Sequence, residues 1–505
     1  MKSLTITDIE TDDFSISASG EHIINLNIGT IKTDNCKNIN LKNFNDKLVQ
    51  SKLFNFIFKE LKKFKHSPFF ETETANLRND KNLNISKIIN ILKIKSYTKK
   101  FLFTQINLIT SDQGTVSSIK SIYPNVNVIS KKKIKSKNLN IGFFVLKFYI
   151  KSFFIILFLK VFSQSKLISK KLSTSNECFM SLHPNFFYNN KENFFNKKEK
   201  NFLLLNFLLT DETHLNYSLL EILKNYYSIK KKLICLESFI NIRDIFLSYK
   251  NYLKFHKIYK KKLSNRFLIN NVDFTNLIKK NLDMSIINRS KLFLTSSGLT
   301  NLFSKKKFLK FHLYLFEYNF GFFLIREIKK YKIKVLGYQH GIFSKKMYWM
   351  NIILKLQNKL FFPDTVISNS KKSFKDYKYL LKKKVNKIVF KKKKISILAK
   401  KIQIRKKNSL SKINKILILS GTHDIRDVVS FCQKECTHNK NLLFFIKVHP
   451  KNKYFFKDET NIKKINNIEA VVFDRVIISP TSTLAYDFDY LNKKYSIFNS
   501  NYKYC

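Results

Sequence analysis

The chain has 505 residues and carries 94 lysines and arginines against 35 aspartates and glutamates, a formal net charge of +59. A chain of this length usually folds around more than one hydrophobic core, and a hydrophobic content of 44% excludes a chain that is disordered throughout. The charge suggests a polyanion or an anionic membrane as partner. However, Lys, Asn, Ile, Phe and Tyr are enriched together, as an AT-rich genome would produce, so we attribute most of the charge to codon bias.

The six cysteines are scattered and form no CxxC pair, which predicts no disulfide framework and suits a reducing cytosol. Cys432, Cys436 and His438 lack the fourth ligand and the usual spacing of a zinc site. Residues 1–5 form no apolar segment, so we expect no signal peptide. The predicted location is the cytoplasm, with peripheral attachment to the inner membrane as an option.

The amino-terminal part of the chain predicts short strands and helices. An amphipathic helix is predicted over 48–64 from its apolar spacing. A strand over 101–109, a turn at 110–114, a short helix and a strand at 126–129 together predict one βαβ unit.

Residues 141–163 are the most apolar segment and have the length of a membrane span. Lys147, Lys151 and Lys160 interrupt it, and a central lysine costs about 2.5–3.5 kcal/mol on insertion scales. We therefore predict an amphipathic helix that packs on the protein or lies on a membrane surface, with a true span and a plain core helix as alternatives. Residues 164–200 are rich in Lys, Ser and Asn and predict a linker.

Beyond the linker, strands alternate with helices, which predicts an α/β fold with parallel sheets. The predicted strands lie at 202–209, 233–236, 291–295, 335–338, 363–368, 416–419, 442–448 and 476–478. The predicted helices begin at about 215, cover 306–332 with Glu317, follow Ser370, and cover 424–438.

A Gly-Tyr-Gln-His-Gly turn ends the strand at 335–338. Gly337 and Gly341 are two of only nine glycines, and glycine permits positive φ and close approach of the backbone to a ligand. The carboxyl end of a parallel strand is where an open α/β sheet binds its ligand. Gln339 and His340 would offer an amide and an imidazole there, although a purely structural turn explains the same residues.

A His-Pro pair follows the strand at 442–448. Pro450 ends the strand and fixes the backbone after His449. A protonated imidazole there can donate a hydrogen bond to a leaving phosphate, which is worth about 10²–10⁴ in rate. Lys447 offers a second cation, although strand alternation points it away from His449.

Two further turns carry hydroxyl and imidazole groups. Thr481, Ser482 and Thr483 precede a predicted helix, where hydroxyls either cap backbone N–H groups or bind phosphate. The residues Gly421, Thr422 and His423 form a strand-to-helix turn suited to phosphate or to an acceptor.

Motifs for other chemistries are missing from the sequence. It has no Walker lysine loop and no GxGxxG. Asp487 and Asp489 have the spacing of a metal-binding pair but fall in a predicted helix, so we predict no metal and no cofactor.

In their order and spacing these motifs resemble those of bacterial surface-carbohydrate glycosyltransferases of the GT-B fold, including capsule and polysialic-acid-type transferases. The likeness covers roughly residues 290–498. It implies two Rossmann-like domains facing a central cleft: an acceptor-side domain over 1–360 and a nucleotide-sugar-binding domain over 361–505.

The resemblance also implies residue roles. His449 would act on the departing phosphate, and Ser482 and Thr483 would hold that phosphate. The base that deprotonates the acceptor is usually a carboxylate of the amino-terminal domain, for which Glu317, Asp211 and Glu212 are the candidates. In place of the family's Ala/Gly-rich helix after the hydroxyl pair, this chain has Tyr-Asp-Phe-Asp at 486–489.

The predicted function is transfer of a sugar, for example a CMP-linked nonulosonic acid, from a nucleotide-activated donor to a surface glycan or glycolipid. The alternatives are a CDP-polyol phosphotransferase of the teichoic-acid type, a basic nucleic-acid-binding protein and a non-catalytic scaffold. The lysines are dispersed and no RNA- or DNA-binding motif is recognisable, so we predict no specific nucleic-acid partner.

Overall fold

A computed structural model describes most of the predicted core. The residues it describes are 3–7, 22–26, 30–33, 39–40, 55, 85–99, 103–110, 112–129, 141–162, 165–182, 202–209, 218–229, 234–262, 266–278, 290–314, 316–317, 319–339, 359–391, 396–405, 413–421, 424–449, 456–480 and 482–498.

The chain divides into two units by its internal contacts. Unit 1 comprises Met1–Leu336 and Asn351–Pro363, and unit 2 comprises Gly337–Met350 and Asp364–Cys505. Both units are α/β with mostly parallel strands. The domain boundary predicted at 360/361 differs from this division in the segment Gly337–Met350, which groups with the carboxyl-terminal residues.

Unit 1 begins with a six-stranded sheet. Its strands are β1 (Ser3–Thr7), β2 (His22–Asn25), β3 (Thr30–Thr33), β4 (Ile39–Asn40), β5 (Gln105–Ile109) and β6 (Asn127–Ile129). They run in the order β4-β3-β2-β1-β5-β6, with β1 parallel to both β2 and β5. The predicted βαβ unit is confirmed as β5, a helix and β6. The predicted helix 48–64 lies outside the described residues, Asn55 excepted.

A second set of parallel strands follows in unit 1. Its strands are β7 (Glu177–Leu182), β8 (Phe202–Phe207), β9 (Ile234–Cys235), β12 (Lys310–Tyr314) and β13 (Lys334–Tyr338), with a separate hairpin of β10 (Leu268–Ile269) and β11 (Val272–Asp273). The order is β13-β12-β7-β8-β9, and β7 is parallel to both β8 and β12.

The helices of unit 1 lie between these strands. They are α1 (Ile85–Thr98), α2 (Gln113–Lys120), α3 (Ile141–Phe162), α4 (Ser165–Thr174), α5 (Leu219–Ile229), α6 (Ile242–Lys262), α7 (Ser290–Lys305) and α8 (Asn319–Lys329).

Three sequence predictions in unit 1 are wrong. The supposed linker 164–200 contains helix α4 and strand β7, because Glu177–Leu182 is an apolar run that pairs with β8 and β12. Residues 306–332 are not one helix: β12 and α8 are separate, and Glu317 lies in the turn between them. The supposed strand at 291–295 is part of helix α7.

Helix α7 shows why that strand prediction failed. The apolar run at 291–295 has the length of a strand, but the buried positions continue at helical spacing through Leu299, Leu302 and Phe303. Gly298, which follows that run, resembles a turn signal in the sequence. A Cβ added there would lie 3.0 Å from Leu236 and 3.1 Å from Ile240, so the glycine serves close packing inside the helix.

Helix α3 covers the segment predicted to be amphipathic. One face packs into unit 1, whereas the outward face is also largely apolar, so the helix is not amphipathic in the ordinary sense. Among the described helices, none combines the length and apolar composition that crossing a membrane requires.

The described part of unit 2 contains nine strands in three groups. They are β14 (Thr365–Ser368), β15 (Lys387–Phe390), β16 (Gln403–Ile404), β17 (Asn414–Leu419), β18 (Leu442–Lys447), β19 (Ile462–Lys464), β20 (Val472–Phe473), β21 (Arg475–Ile478) and β22 (Ser496–Ile497). The main sheet is fully parallel in the order β19-β18-β17-β21-β22. Elsewhere in unit 2, β14 pairs parallel with β15.

The helices of unit 2 are α9 (Lys371–Leu381), α10 (Ile397–Lys401), α11 (Ile425–His438) and α12 (Leu484–Tyr490). Helix α9 follows β14 and packs on β14 and β15, whereas α10, α11 and α12 pack on the two faces of the main sheet. Alternation along β17 sends Ile416 and Ile418 into a core with α11, and Leu417 and Leu419 into a second core with α10 and α12. Loops at the strand ends therefore lie on a rigid layered scaffold.

Candidate functional site

Three of the predicted motifs meet at one edge of the main sheet of unit 2. Strand β17 lies between β18 and β21, and Leu419 is in register with both Lys447 and Ile478. Because parallel strands end at the same edge, the residues after them lie side by side: Ser420 and Gly421, His449, and Ser479. These loops carry the predicted phosphate chemistry.

Hydrogen bonds join the end of β18 to that of β17. The backbone N–H of His449 donates to Ser420 Oγ at 3.3 Å. Ser420 N in turn donates to Lys447 O at 3.1 Å. These hydrogen bonds fix the backbone at His449. The residue itself is half-buried, so its side chain keeps partial access to solvent.

Asp424 joins the end of β17 to that of β21. Gly421 N donates to Asp424 Oδ1 at 2.7 Å, and Ser479 Oγ donates to Asp424 Oδ2. Asp424 is fully buried, where a carboxylate is stable only if its oxygens are bound. Asp424 is not among the site residues that the sequence predicts. Its only sequence signal is an acid at the start of helix α11, three residues after a glycine.

The Ser482–Thr483 turn follows directly. Ser482 N donates to Ser479 O at 3.0 Å, and Leu484 N donates to Ser482 Oγ at 3.3 Å. The hydroxyl oxygen of Ser482 thus accepts a hydrogen bond from the first backbone N–H of α12. Its hydroxyl proton remains able to donate to a ligand. Thr483 makes no side-chain capping bond. Helix α12 has only seven residues, so the hydroxyls, and not a helix dipole, are the groups a phosphate would use here.

Gln339 is a buried organising residue. Its Nε2 donates to Ser373 Oγ at 2.9 Å, and its Oε1 accepts from Ser368 Oγ at 2.9 Å and from Asn369 N at 3.1 Å. Gln339 therefore holds the turn between β14 and α9. Gly337 is buried within β13. These contacts favour the structural explanation of this glutamine over direct ligand binding.

Two tyrosines of α12 extend this network. The hydroxyl of Tyr486 lies 2.9 Å from Ser373 Oγ, and the hydroxyl of Tyr490 donates to Asn369 O at 2.7 Å. The helix after the Ser482–Thr483 turn is thereby tied to the turn that Gln339 holds. This explains why the chain has tyrosine at 486, where the resemblance implies small residues.

Other predicted site residues are placed differently or lie outside the described residues. Lys447 directs its ammonium to Asn466 O at 2.9 Å, as strand alternation suggested. Outside the described residues lie His340, Gly341, Thr422, His423, Pro450, Thr481, Asp211 and Glu212.

Unit 1 contains two buried carboxylates after parallel strands. Glu317 is buried in the turn after β12. Glu237, which is not among the residues that the sequence predicts, lies in a short 3₁₀ helix after β9. Its Oε1 accepts from Leu208 N at 3.0 Å and Leu209 N at 2.9 Å, while its buried Oε2 has no hydrogen-bond partner in the described part of the chain. A lone acid within the apolar run 233–240 was its only signal.

Burial raises the pKa of Glu237 to about 7, although the backbone N–H groups oppose the shift. A raised carboxyl pKa favours folding at low pH, and that contribution is lost as pH rises through 7. Between about pH 4.5 and about pH 8 the wild type should lose about 3 kcal/mol of stability relative to Glu237→Gln, whose amide keeps the acceptor. Urea unfolding followed by far-UV circular dichroism checks this. Parallel pH profiles for the two proteins would contradict it.

No metal site emerges from the described residues, among which no group of three or more His, Cys, Asp or Glu is placed to hold an ion. Comparison with known proteins adds no family: no family model matches the chain, and neither does any curated protein. The case for a function therefore rests on the geometry of the site and on the resemblance of its motifs.

Proposed function

We propose that the chain is a nucleotide-sugar-dependent glycosyltransferase with two Rossmann-like domains of the GT-B type, acting in the cytoplasm on a surface glycan or glycolipid. The observation that carries the proposal is the meeting of His449, Gly421 and Ser482 at the carboxyl edge of one parallel sheet, joined through Ser420, Asp424 and Ser479. Parallel sheets with helices on both faces bind nucleotides at this edge.

The proposed mechanism is direct displacement at the anomeric carbon. The acceptor oxygen forms a bond to that carbon while the bond from carbon to the phosphate oxygen breaks, and the nucleotide leaves with the electron pair. An imidazolium at His449 and the hydroxyl of Ser482 donate to the phosphate as its charge grows. The acceptor proton passes to a carboxylate, for which the resemblance implies Glu317, Asp211 and Glu212 as the candidates.

Donor binding tests the proposal by calorimetric titration with CMP-, CDP-, UDP- and GDP-linked sugars. One nucleotide class should bind the full chain. Ser482→Ala should weaken that binding about tenfold, because it removes a hydrogen bond to a charged group. Thr437→Ala is the control, since its exposed hydroxyl donates only to Lys434 O within α11.

The alternatives give different results in the same titration. Binding of CDP-polyol with release of CMP would indicate a polyol phosphotransferase at the same site. Steeply salt-dependent binding of arbitrary DNA without nucleotide affinity would indicate a nucleic-acid-binding protein. If none of the donors binds, the enzyme proposal is rejected.

A further inference from the structure

The outward face of α3 is a continuous apolar surface. The exposed side chains recur along its whole length at intervals of three and four residues, so they lie on one side of the helix. We call this set the α3 stripe; it consists of Phe143, Leu146, Ile150, Phe154, Leu157 and Val161. Exposure reaches 60% at Phe143 and 68% at Val161. A contiguous apolar surface of this kind usually marks a binding site.

The opposite face of α3 is packed into unit 1. Val145, Phe148, Ile155 and Leu159 are buried, and the hydroxyl of Tyr149 donates to Ser290 O at 3.2 Å. Aromatic contacts also join the helix to its neighbours, such as Tyr149 with Tyr249 of α6 at 5.2 Å. The helix is therefore held in place, and the stripe cannot turn inward without losing this core.

Lysines flank the stripe on both sides. At about 100° per residue, Lys147 and Lys151 project along one edge of the stripe, and Lys160 projects along the other. The segment Ile141–Phe162 contains no Asp or Glu. The charged groups that face these lysines from other elements are Glu221 near Lys151, and Asp244 and Lys305 near Lys160.

An apolar stripe with lysines at both edges is the arrangement of a helix that lies in a bilayer interface. The apolar side chains enter the acyl boundary while the lysine stems reach the phosphate layer. The exposed surface continues onto α5 through Tyr227, whose ring meets Phe162 at 6.4 Å. A second copy fits less well, because pairing two stripes would bring the lysines of both copies together, and the segment Ile141–Phe162 contributes no Asp or Glu to pair with them.

We propose that the α3 stripe docks unit 1 on the surface of an anionic phospholipid bilayer. This inference does not depend on the proposed sugar transfer, because it concerns binding without nucleotide or acceptor. If both hold, docking would bring the transferase to a lipid-linked acceptor.

Vesicle flotation of the full chain tests the stripe itself. The wild type should bind phosphatidylcholine vesicles containing about 30% phosphatidylglycerol, and part of the binding should survive about 0.5 M salt. The double variant Ile150→Ser with Phe154→Ser should bind at least about tenfold more weakly at unchanged net charge. The control is Leu309→Ser with Ile397→Ser, both 67% exposed, which should bind as the wild type does.

A second pair of variants tests the flanking charges. Lys147→Gln with Lys160→Gln should weaken binding about fivefold per lysine, because each lysine near an anionic surface contributes separately. The exposed residues Lys382 and Lys383 of unit 2 give the matched control, with the same loss of charge elsewhere.

Equal vesicle binding by the stripe variant, its control and the wild type would overturn the proposal, since charge alone would then explain binding. A chain that sediments as a dimer and becomes monomeric in the Ile150→Ser, Phe154→Ser variant would also overturn it, because the stripe would then bind a second copy.

Discussion

Replacing His449 by glutamine is expected to lower turnover about 10²-fold and to leave unfolding unchanged. Glutamine can fill a similar space but cannot become a cation, so it cannot match an imidazolium as the phosphate gains charge. The backbone N–H that donates to Ser420 is unaffected by the side chain, so the turn should keep its shape. The measurement is the steady-state rate with the donor that calorimetry identifies, at saturating acceptor.

His438→Gln is the matched control for this substitution. His438 is the exposed last residue of α11, in the same unit but away from the strand ends that form the site. It should leave turnover within about twofold of wild type. Equal rates for wild type and His449→Gln would remove His449 from the mechanism, while donor binding by calorimetry would still stand as evidence for the site.

Of the strands described in unit 2, the sequence predicted β14, β17, β18 and β21, and it did not predict β15, β16, β19, β20 and β22. The four predicted strands are apolar runs followed within three residues by a glycine, proline or serine, so both their length and their end were marked. In unit 1 the run at 291–295 carries the same apolar signal but is helical, because Leu236 and Ile240 pack against it at Gly298. A short apolar run does not by itself distinguish a buried helix from a strand.

The sequence indicated the candidate site residues but not the contacts that hold them in place. His449, Gly421 and Ser482 follow strand ends, which a sequence can show. Asp424 and Glu237 act through partners far along the chain, and no local pattern indicates such pairs. The bonds of Gln339 are similar: its amide is satisfied by residues about 30 positions later, so only the folded structure distinguishes a support from a ligand contact.

Asp424→Ala is expected to destabilise unit 2 by about 4 kcal/mol and to abolish donor binding. The substitution leaves the Gly421 N–H and the Ser479 hydroxyl buried without their acceptor, and each orphaned group costs about 1–3 kcal/mol. It also releases the β17 turn from the end of β21, which separates Gly421 from the Ser482–Thr483 turn. Urea unfolding followed by far-UV circular dichroism measures the change in stability.

The variant Asp424→Asn tests whether the two hydrogen bonds accepted by Asp424, or its negative charge, stabilise the unit. The asparagine Oδ1 can still accept from Gly421 N, and the Ser479 hydroxyl can rotate to accept from Nδ2, so the loss should stay below about 1.5 kcal/mol. A double-mutant cycle of Asp424→Ala with Ser479→Ala should give an interaction free energy of about 1–2 kcal/mol, because the two side chains share one hydrogen bond. If Asn and Ala variants are equally destabilised, the charge of Asp424 matters and not its two acceptors. If neither is destabilised, the three strand ends are held together by other contacts, and the site loses its structural basis.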